Sequence, residues 1–302
     1  MMNKKTTTLL VAAIVVLAVV YWVFALPSVG NPQIPTDAAS IARGAYSYQA
    51  GGCGACHEPD GSQGPSGGYD IKSPFGGTFH VPNITPDAET GIGGWTGKDF
   101  LLAVKHGRKP SGGFYWPAFP YRSYKGMSDE EVLDIAAYLQ SLPAISNQVP
   151  DHDLPAWQFS WMMAGWNIMA NFLEGTPPAI SDDPQIQRGA YLARTQGHCG
   201  ECHTPRNALG ITELGNEFAG VEVEGFEAPA ITPAALSSWS EEDFIGLLQL
   251  GMTANFDFVG GEMADVIEHT KLLSEEDQAA YAAFFTRDPQ PGAAAPSEGT
   301  TD

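Results

Sequence analysis

Cysteine is scarce in this chain of 302 residues: there are four, at Cys53, Cys56, Cys199 and Cys202. Basic residues are scarce too, 15 Lys+Arg against 35 Asp+Glu, for a formal charge of −20. That shortage argues against nucleic acid as a partner and against electrostatic docking on anionic lipid heads. It favours a basic partner surface, or simply solubility in a salty medium. One stretch lacks charge altogether. After Lys4 and Lys5, every residue from Leu9 to Leu26 is uncharged and apolar or aromatic.

That run is long enough to cross a bilayer core as a helix. Its positive flank places the N-terminus in the cytoplasm and the body outside. A cleaved signal peptide is the alternative. No small-x-small site follows the run, and Tyr21 and Trp22 read instead as an interfacial aromatic belt. The expectation is an uncleaved anchor within residues 1–30, set in a bacterial inner membrane with the rest of the chain in the periplasm.

What the chain does contain is two copies of Cys-x-x-Cys-His, Cys53–His57 and Cys199–His203. This is the attachment signature of c-type haem. Two sulfurs at this spacing form thioethers to one porphyrin, and the adjacent histidine is held at the proximal iron position. A thioredoxin-like dithiol needs no following histidine and expects a βαβ context. A shared zinc site is disfavoured because the pairs are far more widely separated than in zinc modules. The expectation is two covalent haems c, bound by Cys53, Cys56, Cys199 and Cys202, with His57 and His203 on iron. No cysteine is then left for a disulfide or a catalytic thiol.

The chain repeats itself. Ile41-Ala42-Arg43-Gly44-Ala45-Tyr46 returns as Ile186-Gln187-Arg188-Gly189-Ala190-Tyr191, each just ahead of a haem motif. Pro82-Asn83-Ile84-Thr85-Pro86 returns as Pro229-Ala230-Ile231-Thr232-Pro233. Trp95, Asp99 and Phe100 match Trp239, Asp243 and Phe244. Ser128-Asp129-Glu130-Glu131 matches Ser274-Glu275-Glu276-Asp277. Each copy has about one hundred residues, the size of one small domain. The fold class expected is all-α. A helix leads into each haem motif, a second starts at the Thr96 or Ser240 cap, and a third starts at Ser128 or Ser274. The copy-one second helix stops at Gly107. Glycine-rich loops such as Gly61 to Gly77 are long for a compact fold and call for a buried haem as filler.

The expected domains are 36–145 and 184–287, with an apolar, aromatic linker over 146–183. The linker reads as a helix packed between the domains, or as a hydrophobic docking surface for a partner or the membrane. Residues 288–302, rich in Pro, Gly, Ala, Ser and Thr, read as a disordered tail.

These residues point to a family. The chain resembles the membrane-anchored dihaem cytochromes c that serve periplasmic dehydrogenases, such as the cytochrome subunits of quinoprotein alcohol dehydrogenases. The resemblance rests on Arg188-Gly189-Ala190-Tyr191, on Gly197 to Asn207 around the second haem motif, on Asn83 to Asp87 with Thr90-Gly91-Ile92-Gly93, and on Pro117 to Tyr121. It implies two tandem cytochrome c domains and electron transfer from a dehydrogenase to a terminal oxidase or soluble cytochrome. It implies no catalysis by the chain itself. The alternative is a haem enzyme with an open site, of dihaem peroxidase or thiosulfate dehydrogenase type. For the sixth ligand of the second iron, Met263 stands where such cytochromes place it, in a loop ahead of the last helix, whereas Met252 follows the second helix and packs. In copy one the register places Phe119 at the position of Met263. Met127 is the nearest methionine and the favoured ligand; His80, His106, a linker methionine or an open position are the alternatives. His152, His198 and His269 read as structural or surface residues.

Overall fold

The computed structural model describes residues 4–59, 61–223 and 226–287. The expected disordered tail therefore lies outside the described residues. An N-terminal helix α1 (Lys4–Phe24) precedes copy one, which is built from α2 (Ala38–Ala50), α3 (Cys53–His57), α4 (Gly97–His106), α5 (Tyr121–Tyr124) and α6 (Asp129–Ser141). α7 (Met162–Leu173) connects to copy two. There α8 (Pro184–Tyr191) runs on through a wider turn over Leu192–Gln196, followed by α9 (Gly200–His203), α10 (Glu241–Leu250), α11 (Glu262–Thr270) and α12 (Glu275–Arg287).

The all-α expectation needs one correction. Each copy also carries a two-stranded antiparallel ribbon: β1 (Asp70–Lys72) with β2 (Thr78–His80), and β3 (Val221–Val223) with β4 (Phe226–Ala228). In the first, Ile71 faces Phe79 and Lys72 faces Thr78. β-branched and aromatic residues favour the extended backbone, and Gly76 and Gly77 turn the chain with positive φ. Part of the loop expected from Gly61 to Gly77 is therefore strand.

The helices start and stop where local chemistry says they should. Thr96, Ser128 and Ser240 each close a capping box, with Asp99, Glu131 and Asp243 as the reciprocal acids. Gly107 and Gly251 end α4 and α10 in the left-handed conformation.

In each copy the first helix packs along the last, α2 on α6 and α8 on α12. The repeated Arg-Gly pair is the crossing point. A Cβ on Gly44 would lie 1.8 Å from the carbonyl oxygen of Asp134, and one on Gly189 would lie 2.0 Å from that of Ala280. Only glycine lets the two backbones approach so closely. The arginine then ties the crossing. Arg43 donates from Nε and Nη2 to Asp134 at 2.6 and 3.1 Å, and Arg188 donates likewise to Asp277 at 2.8 and 2.9 Å. Both carboxylates are buried, and such forked pairs combine energy with orientation. Around the crossings lie two cores. One holds Tyr48, Phe100, Leu101, Tyr124, Met127 and Val132; the other holds Leu192, Phe218, Phe244, Tyr281, Phe284 and Phe285.

The two copies face each other through a reciprocal contact. Tyr46 of copy one donates its hydroxyl to Asp277 of copy two at 2.5 Å, and Tyr191 of copy two donates to Glu131 of copy one at 2.6 Å. Each tyrosine ends the repeated Arg-Gly-Ala-Tyr, and each acid lies in the first turn of its copy's last helix. Gln196 adds a bond to Glu131 at 3.1 Å. α7 braces both copies. Asn167 accepts from Tyr121 at 2.9 Å, and Trp166 donates to the Leu209 carbonyl at 2.9 Å. Only Met163, Ala164 and Ala170 of α7 are buried, so the linker is a packed helix on one side and an exposed apolar face on the other.

The expected membrane span is not met among the described residues, where no helix is long and apolar enough to cross a membrane. What is described is a 21-residue helix whose Leu9, Val16 and Leu17 stand in the open.

Gly44→Ala should force α2 and α6 apart and cost about 1–3 kcal/mol or more, read as a lowered denaturant midpoint; an unchanged midpoint would mean the crossing can relax. A second expectation concerns pH. Burial acts to raise the Asp277 carboxyl, but bonds from Arg188 and Tyr46 hold it below its ordinary 3.8. Its contribution is therefore present above that value and is lost as pH falls below it. Tyr46→Phe should cost about 1 kcal/mol at neutral pH, and the gap between variant and parent should close in unfolding measurements below pH 3.8.

Candidate functional site

The haem motifs occupy one helical turn each, α3 and the start of α9, directly after the helix that crosses at glycine. The four cysteines are unpaired. Burial pushes the Cys53 and Cys199 thiols up to about 12. A dithiol oxidoreductase needs the opposite shift, so that reading loses its support. Among the described residues no three His, Cys, Asp or Glu side chains converge on a metal position.

Each motif histidine is fixed in the same way. His57 donates from Nδ1 to the Pro82 carbonyl at 2.8 Å, and His203 donates from Nδ1 to the Pro229 carbonyl at 2.7 Å. These prolines open the repeated Pro-x-Ile-Thr-Pro segments. A carbonyl can only accept, so the proton sits on Nδ1 and Nε2 keeps its lone pair for a metal. Burial pushes the His57 imidazole down to about 4, against a raising contribution from the Pro82 carbonyl, and lowers His203 in the same manner. Both rings are thus neutral at pH 7, the form that ligates iron. The donor set fits covalent haem: two thiols one turn apart, then an imidazole whose free nitrogen is fixed by a backbone acceptor.

The loop that supplies Pro82 is itself anchored. Asn83 is buried and donates to the Ile145 carbonyl at 2.7 Å and to Thr90 at 3.1 Å, while its own oxygen takes the Thr85 amide at 2.9 Å. Copy two has Ala230 at this place and no such network. The repeat of the Pro-x-Ile-Thr-Pro segment was visible in the sequence; its role as the histidine's acceptor was not, because contact between residues 25 positions apart leaves no periodic signal.

Met127 is 3 % exposed in the copy-one core, against which Cys53 and Phe119 also pack. Met263 packs against the copy-two core together with Cys199. It lies in the first turn of α11 rather than in the expected loop. Glu262 and Asp265 in that first turn, after Gly261, let a helix start there. The register problem of copy one is real in three dimensions. The Gly107 and Gly251 stops and the bridges Arg108↔Phe114 and Met252↔Phe258 coincide between copies. Phe119 therefore occupies the place of Met263, and Met252 the place of Arg108. Four of the five remaining histidines have a bonded or ring partner. His80 Nδ1 meets Asp70 at 2.6 Å, His152 accepts the His80 amide at 3.2 Å, His269 meets Gln49 at 2.8 Å, and His198 lies 5.4 Å from the Tyr124 ring. Burial lowers His106.

Known proteins resemble this chain in sequence. The Cytochrome c family profile matches residues 41–143. The chain is 41 % identical over 259 residues to the "Diheme cytochrome c-type" protein of Cereibacter sphaeroides, covering 82 % of this chain and 85 % of that one. It is 35 % identical to the gluconate 2-dehydrogenase cytochrome c subunit of Pantoea cypripedii over 89 % of this chain, and 35 % identical to the quinone alcohol dehydrogenase cytochrome c subunit of Gluconobacter oxydans over 82 %. It spans 64 % and 55 % of those two subunits.

Proposed function

Since the chain belongs to the cytochrome c family, we propose that it carries two covalent haems c. It takes electrons singly from a periplasmic dehydrogenase and delivers them to a terminal oxidase or a soluble cytochrome. The observation that carries this reading is the paired histidine clamp, Nδ1 on a proline carbonyl in both copies. Bound haem iron supplies the one-electron redox change. The chain's own residues do the rest. Cys53 and Cys56 tether one group, Cys199 and Cys202 the other. His57 and His203 present Nε2. Met127 and Met263, the methionines that share a core with each motif, would each supply a thioether to the bound group. Such thioethers would favour ferrous iron and would leave little room for the substrate of an open-site enzyme.

Relatives named as dehydrogenase cytochrome subunits support a dehydrogenase as donor. The charge of −20 supports a donor face that is basic where it docks. The domain limits are 36–145 and 184–287, joined by 146–183. Residues 1–30 anchor the chain to the inner membrane with the haem domains in the periplasm; the charge-free run after Lys4 and Lys5 and the unburied α1 side chains support this.

Met263→His should lower one of two midpoint potentials by on the order of 0.1 V, a fraction of the ~0.8 V that axial ligands span, and leave the other. Met127→His should do the converse. A redox titration in which Met127→His moves neither potential would remove Met127 from the iron. In stopped-flow experiments the intact protein should be reduced by a basic donor at a rate that falls as salt rises, since screening reaches about 8 Å at physiological ionic strength. Steady turnover of peroxide or thiosulfate by the isolated protein would instead make it an open-site enzyme.

A further inference from the structure

The residues from Leu154 to Leu173 carry no charge, in a chain whose formal charge is −20. α7 and the turn before it turn large apolar side chains outward. Trp157 is 58 % exposed, Trp161 60 % and Phe172 82 %, with Phe159, Met169 and Leu173 beside them. Neighbouring loops of both copies extend the face. Gln158 donates to the carbonyl of half-exposed Phe75 at 3.0 Å, and Trp166 to that of half-exposed Leu209 at 2.9 Å. The polar side chains within the face, Gln158, Ser160 and Asn171, are neutral, and Asn171 accepts from Arg122 at its border at 3.1 Å.

α1 ends beside this face and is clamped there. The Phe24 ring meets Phe114 edge-on at 6.0 Å. Val23 packs on the cluster of Phe114, Met163 and Ala164, two of them from α7. Arg108, buried and stacked 4.0 Å over Phe114, donates to the Phe24 carbonyl at 2.6 Å. The end of α1 is thus part of the body.

We propose that the turn from Trp157 to Trp161 and the outer face of α7 form a docking surface that seats in the headgroup layer of the bilayer beside α1. This rests on the anchor reading of residues 1–30. The occupant follows from three properties of the face. It is continuous with the apolar helix α1. It is rich in tryptophan, whose amphipathic ring prefers the membrane interface. It is neutral, so anionic lipid heads that the rest of the surface repels meet no like charge here. The charges at its border, Arg122 and Glu174, are paired with each other, which leaves an electron donor drawn by charge little on this face to grip. Held at two places, the body cannot swing freely, and its haem motifs keep a fixed aspect toward partners moving in the membrane plane.

The test uses the full haem-loaded chain in vesicles of phosphatidylethanolamine and phosphatidylglycerol that contain a phospholipid with a photoreactive diazirine in its acyl chain. Adducts are mapped by peptide mass spectrometry. The expected result is lipid adducts both within residues 9–26 and within 157–173. Replacing Trp161 and Phe172 together by Gln should lower the second set at least about tenfold, as the lost transfer of aromatic surface requires, with the visible haem spectrum unchanged. Adducts in 9–26 and none in 157–173 would overturn the docking surface and leave the anchor standing. Adducts in neither would overturn both. Adducts in 157–173 alone would uphold the surface and remove the anchor. If the same region in native membranes cross-links to a polypeptide and takes no lipid, a protein partner covers it and the proposal fails.

Discussion

The close crossing of the first and last helix of each copy is the constraint from which the rest of the structure follows. Gly44 and Gly189 bring the backbones to a distance no side chain would permit. The adjacent arginine locks the angle with a buried carboxylate. With both helices fixed, the haem motif can only start where α2 or α8 ends, and the core beneath it is bounded by α6 or α12. The carboxylate need not keep its position. Gly189 faces Ala280, yet Arg188 takes Asp277, one turn earlier on α12. The interaction is retained while the residue that provides it has moved along the helix, as expected when forked geometry rather than one backbone site is what the fold requires.

That displacement has a consequence for how the copies meet. Because Asp277 sits in the first turn of α12, it can take both Arg188 from its own copy and Tyr46 from the other. Its counterpart Glu131 in copy one is released from arginine, which uses Asp134, and takes Tyr191 and Gln196. The interface is therefore close to two-fold in its tyrosines and unequal in its charges. One acid is shared between an intra-copy ion pair and the interface; the other is shared between the Ser128 capping box and the interface.

Much of this was legible in the sequence, and the boundary of legibility has physical causes. Capping residues act within three positions, so Thr96, Ser128 and Ser240 could be read directly as helix starts. The Cys-x-x-Cys-His motifs were legible for the same reason. The Gly-Gly turn of β1 and β2 was read as loop because three-residue strands are too short to show alternation. The start of α11 was missed since the segment opens on Gly260-Gly261, a pattern that reads as turn. Nothing local pairs Pro82 with His57 or Tyr46 with Asp277; both are contacts between elements, decided only when the glycine crossings set the frame. Phe119 is the opposite case. The repeat register derived from Phe100 and Phe244 already placed it opposite Met263, and the matched bridges of Arg108 and Met252 keep it there.

The two copies keep the same frame and differ around the motif. Copy one has Gly52 just before Cys53, in the left-handed conformation at φ 57°. Copy two has His198 at the same place with φ 39°, a conformation that costs a non-glycine residue on the order of 1 kcal/mol. The histidine that carries this strain puts its ring against Tyr124 of copy one, whose hydroxyl donates to the Gly51 carbonyl at 3.1 Å. Tyr124 thus bridges the turns ahead of the two motifs, Gly51 in copy one and half-buried His198 in copy two. Copy one also braces its proline acceptor with Asn83 where copy two has alanine, and sets Phe119 where copy two has Met263. Polar contacts, local bracing and methionine placement therefore all differ between copies that share one helical frame, and in the proposed carrier these surroundings would set two different potentials. Two equal sites would give an electron no preferred direction; side chains and local backbone together make these copies unequal.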